Sequence, residues 1–370
     1  MKFITSKDAF LKVLGVCQEV INSKSPISIL SNICLEADDE FVYVKCSNSA
    51  VSAKTKFNAE ICEKGSTTVF CAKLYAIVSQ LPDGNIEFET SEKEIQVKAE
   101  GKKIKYKLKS LAVDKFPEVI DFKKETSIEV ASKDFKECIK ETMFAVSTDS
   151  CRYMMTGCYL TADTEQNKIT MVATDGKRMS LCSFNSDKSI SPVIIPPKIL
   201  QIVMMLAGTE GKIEINSTDK LFFVKIGNFE IYSSVIDATF PNYKRVYPNG
   251  LDHTITVSHD AFEKALKRAC VMTDKFARVD ITVSNNKIII ESPDSDIGQS
   301  SEEIDAVYSG EDVKIAFNAA FLGDVLSVLT ADKICFDFSI DQSNIVKSAV
   351  IIREENPSFD YCHIVMPITC

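Results

Sequence analysis

The chain has no long apolar stretch and lacks the common catalytic motifs. No uninterrupted apolar run reaches the roughly 18 residues of a membrane span, and the N-terminus has no charged-then-apolar signal pattern. There is no Gly-x-Ser-x-Gly, no glycine-rich phosphate loop, no Gly-x-Gly-x-x-Gly and no His-x-x-x-His. We therefore expect a cytoplasmic protein, without enzymatic activity, cofactor or metal.

Histidines are scarce, and the cysteines form no recognisable framework. His253, His259 and His363 lie in different predicted elements, so a solvated or capping role is favoured over catalysis for each. The 13 cysteines are odd in number, include no Cys-x-x-Cys pair and mostly sit among apolar residues. This pattern favours reduced thiols that behave as small buried hydrophobic residues.

One segment recurs three times at a single spacing. Ser6-Lys7-Asp8-Ala9-Phe10, Ser132-Lys133-Asp134-Phe135 and Ser258-His259-Asp260-Ala261-Phe262 each follow a strand-like stretch, and their serines are 126 residues apart. A serine before an apolar run caps a helix because its oxygen accepts a hydrogen bond from the first turn. One capped helix arises by chance in many proteins, whereas three at equal spacing indicate a triplicated domain.

Each third is predicted to contain two helices among antiparallel strands. Helices are expected at 6–20, 71–81, 134–146, 197–206, 262–271 and 319–329. Strands are expected at 3–5, 33–37, 41–46, 51–57, 86–90, 95–99, 104–108, 128–130, 157–161, 169–174, 179–184, 255–257, 279–283 and 287–292. The Asp38-Asp39-Glu40 carboxylates are expected in a solvated hairpin turn, and Asp175-Gly176 in a type I′ hairpin turn.

The predicted fold class is α+β, with three similar domains at residues 1–124, 125–252 and 253–370. In each domain a strand–helix–strands unit occurs twice, and its two helices cover one face of an antiparallel sheet.

The charge distribution leaves two interpretations open. The net charge of −9 taken alone argues against a nucleic-acid ligand, but five of the six predicted helices carry basic residues on or near their outer face. Such a face is usually only solvated. If three repeats curve with their helices on the concave side, the same charges line one surface and contact a phosphate backbone without reading bases.

Two stretches of opposite charge lie in the first and last thirds. Residues 98–109 carry six lysines, and residues 291–305 carry six acidic residues. Unlike charge at the two ends of an arc favours head-to-tail contact, and two copies would close into a ring. On charge alone, two unrelated solvated edges explain the pattern equally well.

Four motifs in order resemble those of a known family. They are Arg152-Tyr153-Met154-Met155-x-Gly157, Ala173-Thr174-Asp175-Gly176-Lys177-Arg178, Phe240-Pro241-x-Tyr243-x-Arg245 and Val365-Met366-Pro367. With them the chain resembles, over its whole length, the bacterial DNA polymerase III beta subunit, the sliding clamp. The resemblance implies the DNA clamp fold: a head-to-tail homodimeric ring of six domains, with helices lining the hole, sheets outside and no enzymatic activity.

The resemblance also implies partners. It implies double-stranded DNA encircled without sequence specificity, the DNA polymerase III catalytic subunit, and a clamp loader that opens the ring with ATP. It further implies other polymerases and repair proteins, which bind by short Leu- and Phe-containing peptides.

Three residue sets correspond by position to the family's binding sites. The partner-peptide cleft, between the second and third domains, corresponds to Met155, Thr174, Gly176, Lys177, Arg178, Met179, Pro241, Arg245, Val246, Ser348, Ile364, Met366, Pro367 and Ile368. The DNA-facing positions resemble Lys24, Lys73, Arg152, Tyr153 and Lys198. The subunit contact resembles Tyr106 and Leu108 against Val271 and Met272, flanked by Lys103, Lys105, Glu302 and Glu303. Met154, Lys177 and the Ile368-Thr369-Cys370 tail depart from the family's usual pattern.

Two functions of other classes stand beside this one. A hydrolase or transferase with a catalytic cleft between repeats would lose turnover on a single carboxylate or cysteine change. A scaffold that binds only proteins would not be retained on circular DNA.

Overall fold

The computed structural model describes residues 1–21, 28–91, 94–120, 126–248, 250–273, 277–294, 298–340, 346 and 349–368. The chain divides into two compact units. The first comprises Met1–Lys133 and Ile195–Val235, and the second comprises Asp134–Ile194 and Ile236–Cys370. Each unit therefore contains one terminal repeat and about half of the central repeat.

Six α-helices occur in the described residues, two in each third of the chain. They are α1 (Lys7–Val20), α2 (Cys71–Gln80), α3 (Ser132–Thr142), α4 (Pro197–Leu206), α5 (His259–Cys270) and α6 (Ala319–Leu326). The predicted serine caps are confirmed at α1 and α5, where Ser6 accepts from the Ala9 N–H and Ser258 from the Ala261 N–H. Ser132 instead donates its hydroxyl to the Gly208 carbonyl, at 2.7 Å.

Every strand pair whose register is described is antiparallel. In the first third the strands are β1 (Lys2–Ser6), β2 (Asn32–Ala37), β3 (Phe41–Ser47), β4 (Val51–Asn58), β5 (Glu60–Glu63), β6 (Gly65–Phe70), β7 (Asn85–Thr90), β8 (Glu94–Ala99) and β9 (Lys105–Leu111). In the central third they are β10 (Ile128–Ala131), β11 (Cys158–Asp163), β12 (Lys168–Thr174), β13 (Arg178–Asn185), β14 (Val193–Ile195), β15 (Lys212–Ser217), β16 (Leu221–Ile226) and β17 (Phe229–Ser234). In the last third they are β18 (His253–Ser258), β19 (Arg278–Ser284), β20 (Lys287–Glu291), β21 (Ser301–Val307), β22 (Val313–Asn318), β23 (Lys333–Phe338), β24 (Val350–Glu354) and β25 (Asp360–Val365).

Each unit is built on one large sheet. In the first unit the strand order is β10-β15-β16-β17-β4-β3-β2-β6-β9-β8-β7-β1-β5, and in the second it is β14-β11-β12-β13-β25-β24-β23-β18-β21-β20-β19-β22. The second sheet joins the central and last repeats through β13 and β25, where Met179 lies opposite Ile364. This pairing positions the site described below.

The cores form where apolar helix faces pack on these sheets. Phe10, Phe135 and Phe262, which follow the three recurring serine segments, are all fully buried. In the first unit Phe3 stacks on Phe88, with ring centroids 4.9 Å apart, and meets Phe10 edge to face. The recurring phenylalanine therefore anchors each first helix to its sheet, as the repeat predicts.

The predicted fold class is confirmed, with local corrections to the elements. The α3 helix ends at Thr142 and continues as a short 3-10 turn, and α6 ends at Leu326 rather than Leu329. The strands β5, β6, β14–β17 and β21–β25 were not predicted. The β5 strand is mostly exposed and has no alternating apolar face, so only its pairing partner defines it. By contrast, β17 and β24 alternate between buried and half-buried residues, a strand pattern that the prediction overlooked.

Candidate functional site

The turn between β12 and β13 is held by one aspartate. The Asp175 carboxylate accepts hydrogen bonds from the Lys177 and Arg178 backbone N–H groups, at 2.9 and 3.1 Å. Only Gly176 has a positive φ, +85°, whereas a type I′ turn requires one at both central residues. The type I′ prediction is therefore wrong. A positive φ at the first central residue alone is the type II′ pattern, because glycine occupies that position and lysine the next.

A small apolar cleft of about 90 Å³ lies beside this turn, within the second unit. It is lined by Met155, Thr174, Gly176, Lys177, Arg178, Met179, Pro241, Tyr243, Val246, Ile364 and Met366. All but Tyr243 were predicted as members of the partner-peptide site. Although Tyr243 belongs to the quoted Phe-Pro-x-Tyr-x-Arg motif, no local signal assigned its ring to the cleft.

Four predicted cleft residues do not line this cavity. Arg245 is exposed in the 3-10 turn Tyr243–Arg245, and Pro367 follows the cleft residue Met366. The Ile368 N–H donates to the Ala316 carbonyl at 2.7 Å, which fixes the chain just beyond the cleft. Ser348 lies outside the described residues.

Arg178 connects the turn to two other elements of the second unit. Its Nε donates to the Asp175 carboxylate at 3.1 Å, its Nη1 to Asp324 of α6 at 2.5 Å and its Nη2 to the Phe144 carbonyl at 2.9 Å. The guanidinium also lies over the Phe321 ring, 4.6 Å from its centroid. With the side chain only 10% exposed, Arg178 holds the cleft wall in place rather than projecting into solvent.

Two residues predicted to face DNA contact the segments around the cleft. The Arg152 Nη1 donates to the Asp175 carbonyl at 2.6 Å, and the Tyr153 hydroxyl donates to the Asp237 carbonyl at 2.8 Å. A Cβ at position 176 would lie 2.5 Å from Arg152 Nη1, but this is the end of a flexible side chain that can move, so the positive φ of +85° is what favours glycine there. Tyr153 is nevertheless 46% exposed.

A buried polar chain lies behind the cleft. His363 Nε2 is 2.9 Å from the Glu141 carboxylate and Nδ1 is 3.1 Å from the Ser180 hydroxyl, with His363 fully buried. The expectation of a solvated or capping role is therefore wrong for His363. Because Ser180 and His363 face each other across β13 and β25, next to the Met179–Ile364 pair, the chain ties α3 to both strands of the cleft floor.

The other two histidines stay near the surface or near helix ends. His253 pairs with Asp252, and the His259 ring lies within hydrogen-bond distance of the Ala331 and Leu326 carbonyls. The Asp38–Glu40 turn is confirmed, because the Asp38 carboxylate accepts from the Glu40 and Phe41 N–H groups.

The predicted DNA-facing lysines differ in their surroundings. Lys73 on α2 is exposed and forms no ion pair within the described chain. Lys198 on α4 pairs with Glu19 of α1 at 2.8 Å, both within the first unit. On α5 the basic residues are also paired, Lys264 with Asp260 and Lys267 with Glu263. Lys24 lies outside the described residues.

The predicted subunit-contact residues lie on exposed apolar and charged surfaces of their own units. In the first unit Tyr106 is 39% exposed, Leu108 is half-buried, and Lys103 and Lys105 are exposed. In the second unit Val271 is 80% exposed and follows α5 directly, with Met272 half-buried beside it. Single exposed apolar residues are common on protein surfaces, so Val271 by itself does not identify an interface.

The acidic members of that set already have basic neighbours. Glu302 accepts from Arg268, and Glu303 accepts from Lys287. The hydrogen bond from Arg268 holds the pKa of the Glu302 carboxyl below its usual range. Their charge is thus partly compensated within the chain.

The described cysteines are mostly buried and unreactive. Nine of the twelve described cysteines are buried and Cys62, Cys151 and Cys270 are exposed, so the expectation of mostly buried thiols is confirmed. Burial raises the pKa of the Cys158 thiol to about 12, which disfavours the reactive thiolate.

The described residues contain no group of three metal-ligating side chains. None of the helices described here is long and apolar enough to cross a membrane.

Family models for the DNA polymerase III beta subunit match nearly the whole chain. The N-terminal domain model matches residues 1–121, the central domain model 129–242 and the C-terminal domain model 244–368. The chain belongs to the DNA polymerase III beta subunit family. Like the members of that family, the bacterial beta sliding clamps, it is a processivity factor for DNA replication and has three domains of the clamp fold.

Relatives of the beta subunit family match this chain from end to end. A beta sliding clamp of Treponema pallidum (strain Nichols) is 32% identical over 376 residues, which cover 100% of this chain and 99% of that protein. The beta sliding clamp of Escherichia coli (strain K12) is 27% identical, with complete coverage of both chains. The DNA polymerase III beta subunit of Pseudomonas aeruginosa bound to griselimycin is 26% identical, with a TM-score of 0.92 and complete coverage.

Proposed function

We propose that two copies of this chain close head to tail into a cytoplasmic ring around double-stranded DNA. The cleft beside the Asp175–Lys177 turn then holds short Leu- and Phe-containing peptides of the polymerase III catalytic subunit, the clamp loader, other polymerases and repair proteins. The observation that carries this proposal is the cleft itself, where eleven residues from distant parts of the chain surround one apolar cavity.

The chemistry of the cleft suits apolar anchor side chains. Met155, Met179, Val246, Ile364 and Met366 supply a flexible apolar surface, and methionine adapts readily to different partners. Backbone groups of the turn provide a few polar contacts that orient a peptide. The griselimycin-bound structure of a family member supports a ligand site on this fold.

Two open strand edges support the head-to-tail contact. Lys105–Lys109 of β9 pairs with β8, and Ser301–Asp305 of β21 pairs with β20, while neither stretch has a second partner strand in the described parts of the chain. Unpaired edges offer rows of N–H and C=O groups to another strand. Lysines on one edge and carboxylates on the other favour the unlike pairing over self-association of either.

The DNA contact is proposed to be electrostatic and independent of base sequence. Lys73 and Lys198 would contact phosphates, assisted by Lys24, Arg152 and Tyr153. Lys198 must give up its ion pair with Glu19 to bind a phosphate, so its contribution is smaller than that of Lys73, which has no ion pair among the described residues. Such contacts release counterions, so direct binding to DNA should weaken steeply as salt rises. The protein acts by binding and topology, without catalysing a reaction.

Truncation after Val365 tests the cleft. We expect loss of binding of a fluorescent Leu/Phe peptide with the dimer intact, because Met366 lines the cleft and its N–H donates to the Lys177 carbonyl at 3.0 Å. Peptide anisotropy and sedimentation of the same samples separate the two effects. A dimer that dissociates on truncation would mean that the cleft is misplaced.

Retention on DNA tests the ring. A protein loaded on nicked circular DNA should stay bound through gel filtration and be released when the circle is cut, because a topological ring slides off free ends. Equal retention on circular and linear DNA would favour a simple binding protein, and no retention on either would favour a scaffold for proteins only.

A further inference from the structure

We infer that the cleft continues into a second, larger groove that binds the residues flanking the anchor of the same partner peptide. This inference rests on the proposed function of the cleft. The groove has a volume of about 910 Å³, against about 90 Å³ for the cleft, and the two share Pro241 and Tyr243 as a common wall.

The groove runs along one face of the second unit's sheet. Its floor is formed by strands β11, β12 and β13, and its side by the segment 240–247. Alternate residues of each strand line the floor, including Thr161, Thr170 and Ser183. The Thr170 and Ser183 hydroxyls are hydrogen-bonded to each other at 2.9 Å, so of these three the Thr161 hydroxyl is the one that can bind a peptide backbone.

Aromatic rings form the end of the groove next to the cleft. Tyr159 stacks on Phe240 with centroids 4.8 Å apart and planes 6° apart, and its centroid lies 6.3 Å from that of Tyr243. Phe240 is almost fully buried, so its partner Tyr159 is held in place. A rigid, flat aromatic surface binds a peptide side chain at low entropic cost.

The charged rim of the groove has an unmatched carboxylate. Lys168 pairs with Asp360 at 2.6 Å and Lys244 with Asp163 at 3.8 Å, whereas Glu165 forms no ion pair within the described chain. The lining thus carries three carboxylates against two lysines. This surplus favours a flanking segment that brings a basic side chain.

The two shared lining residues, Pro241 and Tyr243, are the reason for assigning the groove to the same peptide. A cleft of this size holds only one or two side chains, so a partner segment must leave it within a few residues. An extended chain advances about 3.3 Å per residue, so three or four residues span roughly 10–13 Å. A segment that leaves past Pro241 and Tyr243 enters the groove directly.

Peptides of different length test the inference. The probes are a six-residue peptide with the Leu/Phe anchor, and the same peptide extended by four residues at either end with Arg or with Glu in the extension. We expect one Arg extension to tighten binding to the full-length protein by up to about fivefold, the gain from one exposed ion pair. The Glu extension at that end should gain much less.

Two charge-reversal variants test whether the affinity gained from the Arg extension arises in the groove. Glu165→Lys should remove the advantage of the Arg extension and leave the short peptide's affinity unchanged. Glu311→Lys, an exposed acid of the same unit outside the groove lining, should keep that advantage. A Glu165→Lys protein that still prefers the Arg extension would refute the charge assignment.

The two peptide lengths distinguish an incorrect groove assignment from an incorrect cleft assignment. If the short peptide does not bind at all, the proposed function of the cleft fails. If it binds and neither extension adds affinity, the cleft stands and the groove is not part of the site. A groove covered by a second copy of the chain would give the latter result.

Discussion

Removing the Asp324 carboxylate should weaken peptide binding although Asp324 does not line the cleft. In α6 it accepts from Arg178 Nη1 at 2.5 Å, and Arg178 in turn holds the Asp175 carboxylate of the turn. Because Asp324 is 48% exposed, its ion pair contributes about 1 kcal/mol, the upper end for exposed pairs, rather than the several kcal/mol of a buried pair. If that energy orders the turn, Asp324→Asn should raise the peptide Kd by about fivefold.

The measurement is peptide anisotropy on Asp324→Asn, with Asp260→Asn as the matched control. Asp260 is an exposed helix aspartate of the same unit that pairs with Lys264, away from the cleft. Asp324→Glu should restore part of the affinity, since a longer carboxylate still reaches Arg178. Hydrogen exchange at the Lys177 and Arg178 amides should quicken in Asp324→Asn only. Wild-type affinity in a protein with a demonstrably mobile turn would refute positioning through Arg178.

Three further outcomes are expected. Charge reversal at Lys73 should weaken direct binding to linear duplex DNA more than reversal at Lys264, which is already paired with Asp260; equal effects would contradict a DNA-facing α2. Val271→Asp should give a single chain of 41.1 kDa in sedimentation, because it places a charge in the proposed apolar contact; a persistent dimer would exclude that contact. Glu354→Gln should lower the free energy of unfolding by about 1–3 kcal/mol at pH 7, because the buried carboxylate accepts from the Thr330 and Ala331 N–H groups. Burial opposes ionisation of Glu354, but these bonds keep its pKa below the ordinary 4.5, so its stabilisation is present above that pH and lost as the pH falls through the folded value. A difference from wild type that grows as the pH is lowered from 7 would contradict this.

The helices were the most predictable part of the fold. The α4 helix was predicted with the observed bounds, because proline at its start and an apolar face at helical spacing are local signals. The end of α3 was missed since its apolar pattern continues through Met143–Ala145, where the chain tightens into a 3-10 turn. The helix caps were predictable for the same local reason: Ser6 and Ser258 contact residues three positions away.

The candidate site was predictable in membership but not in arrangement. The motif resemblance named ten cleft residues, yet the roles of Arg178 and His363 depended on partners far away in the chain. Arg178 contacts Asp324, 146 residues on, and His363 contacts Glu141, 222 residues back. Such pairs leave no periodic trace in the sequence, so a solvated or capping histidine was the reasonable expectation.

The sequence by itself determined that three similar modules exist, where their helices begin, and which family they belong to, because these depend on neighbouring residues and on spacing along the chain. Only the tertiary structure decided how β13 pairs with β25 and so which side chains meet around the cleft. That pairing brings Met179 opposite Ile364, and a shift of one residue would turn every side chain to the other face of the sheet. The cleft, the Arg178 contacts and the adjoining groove are consequences of that register.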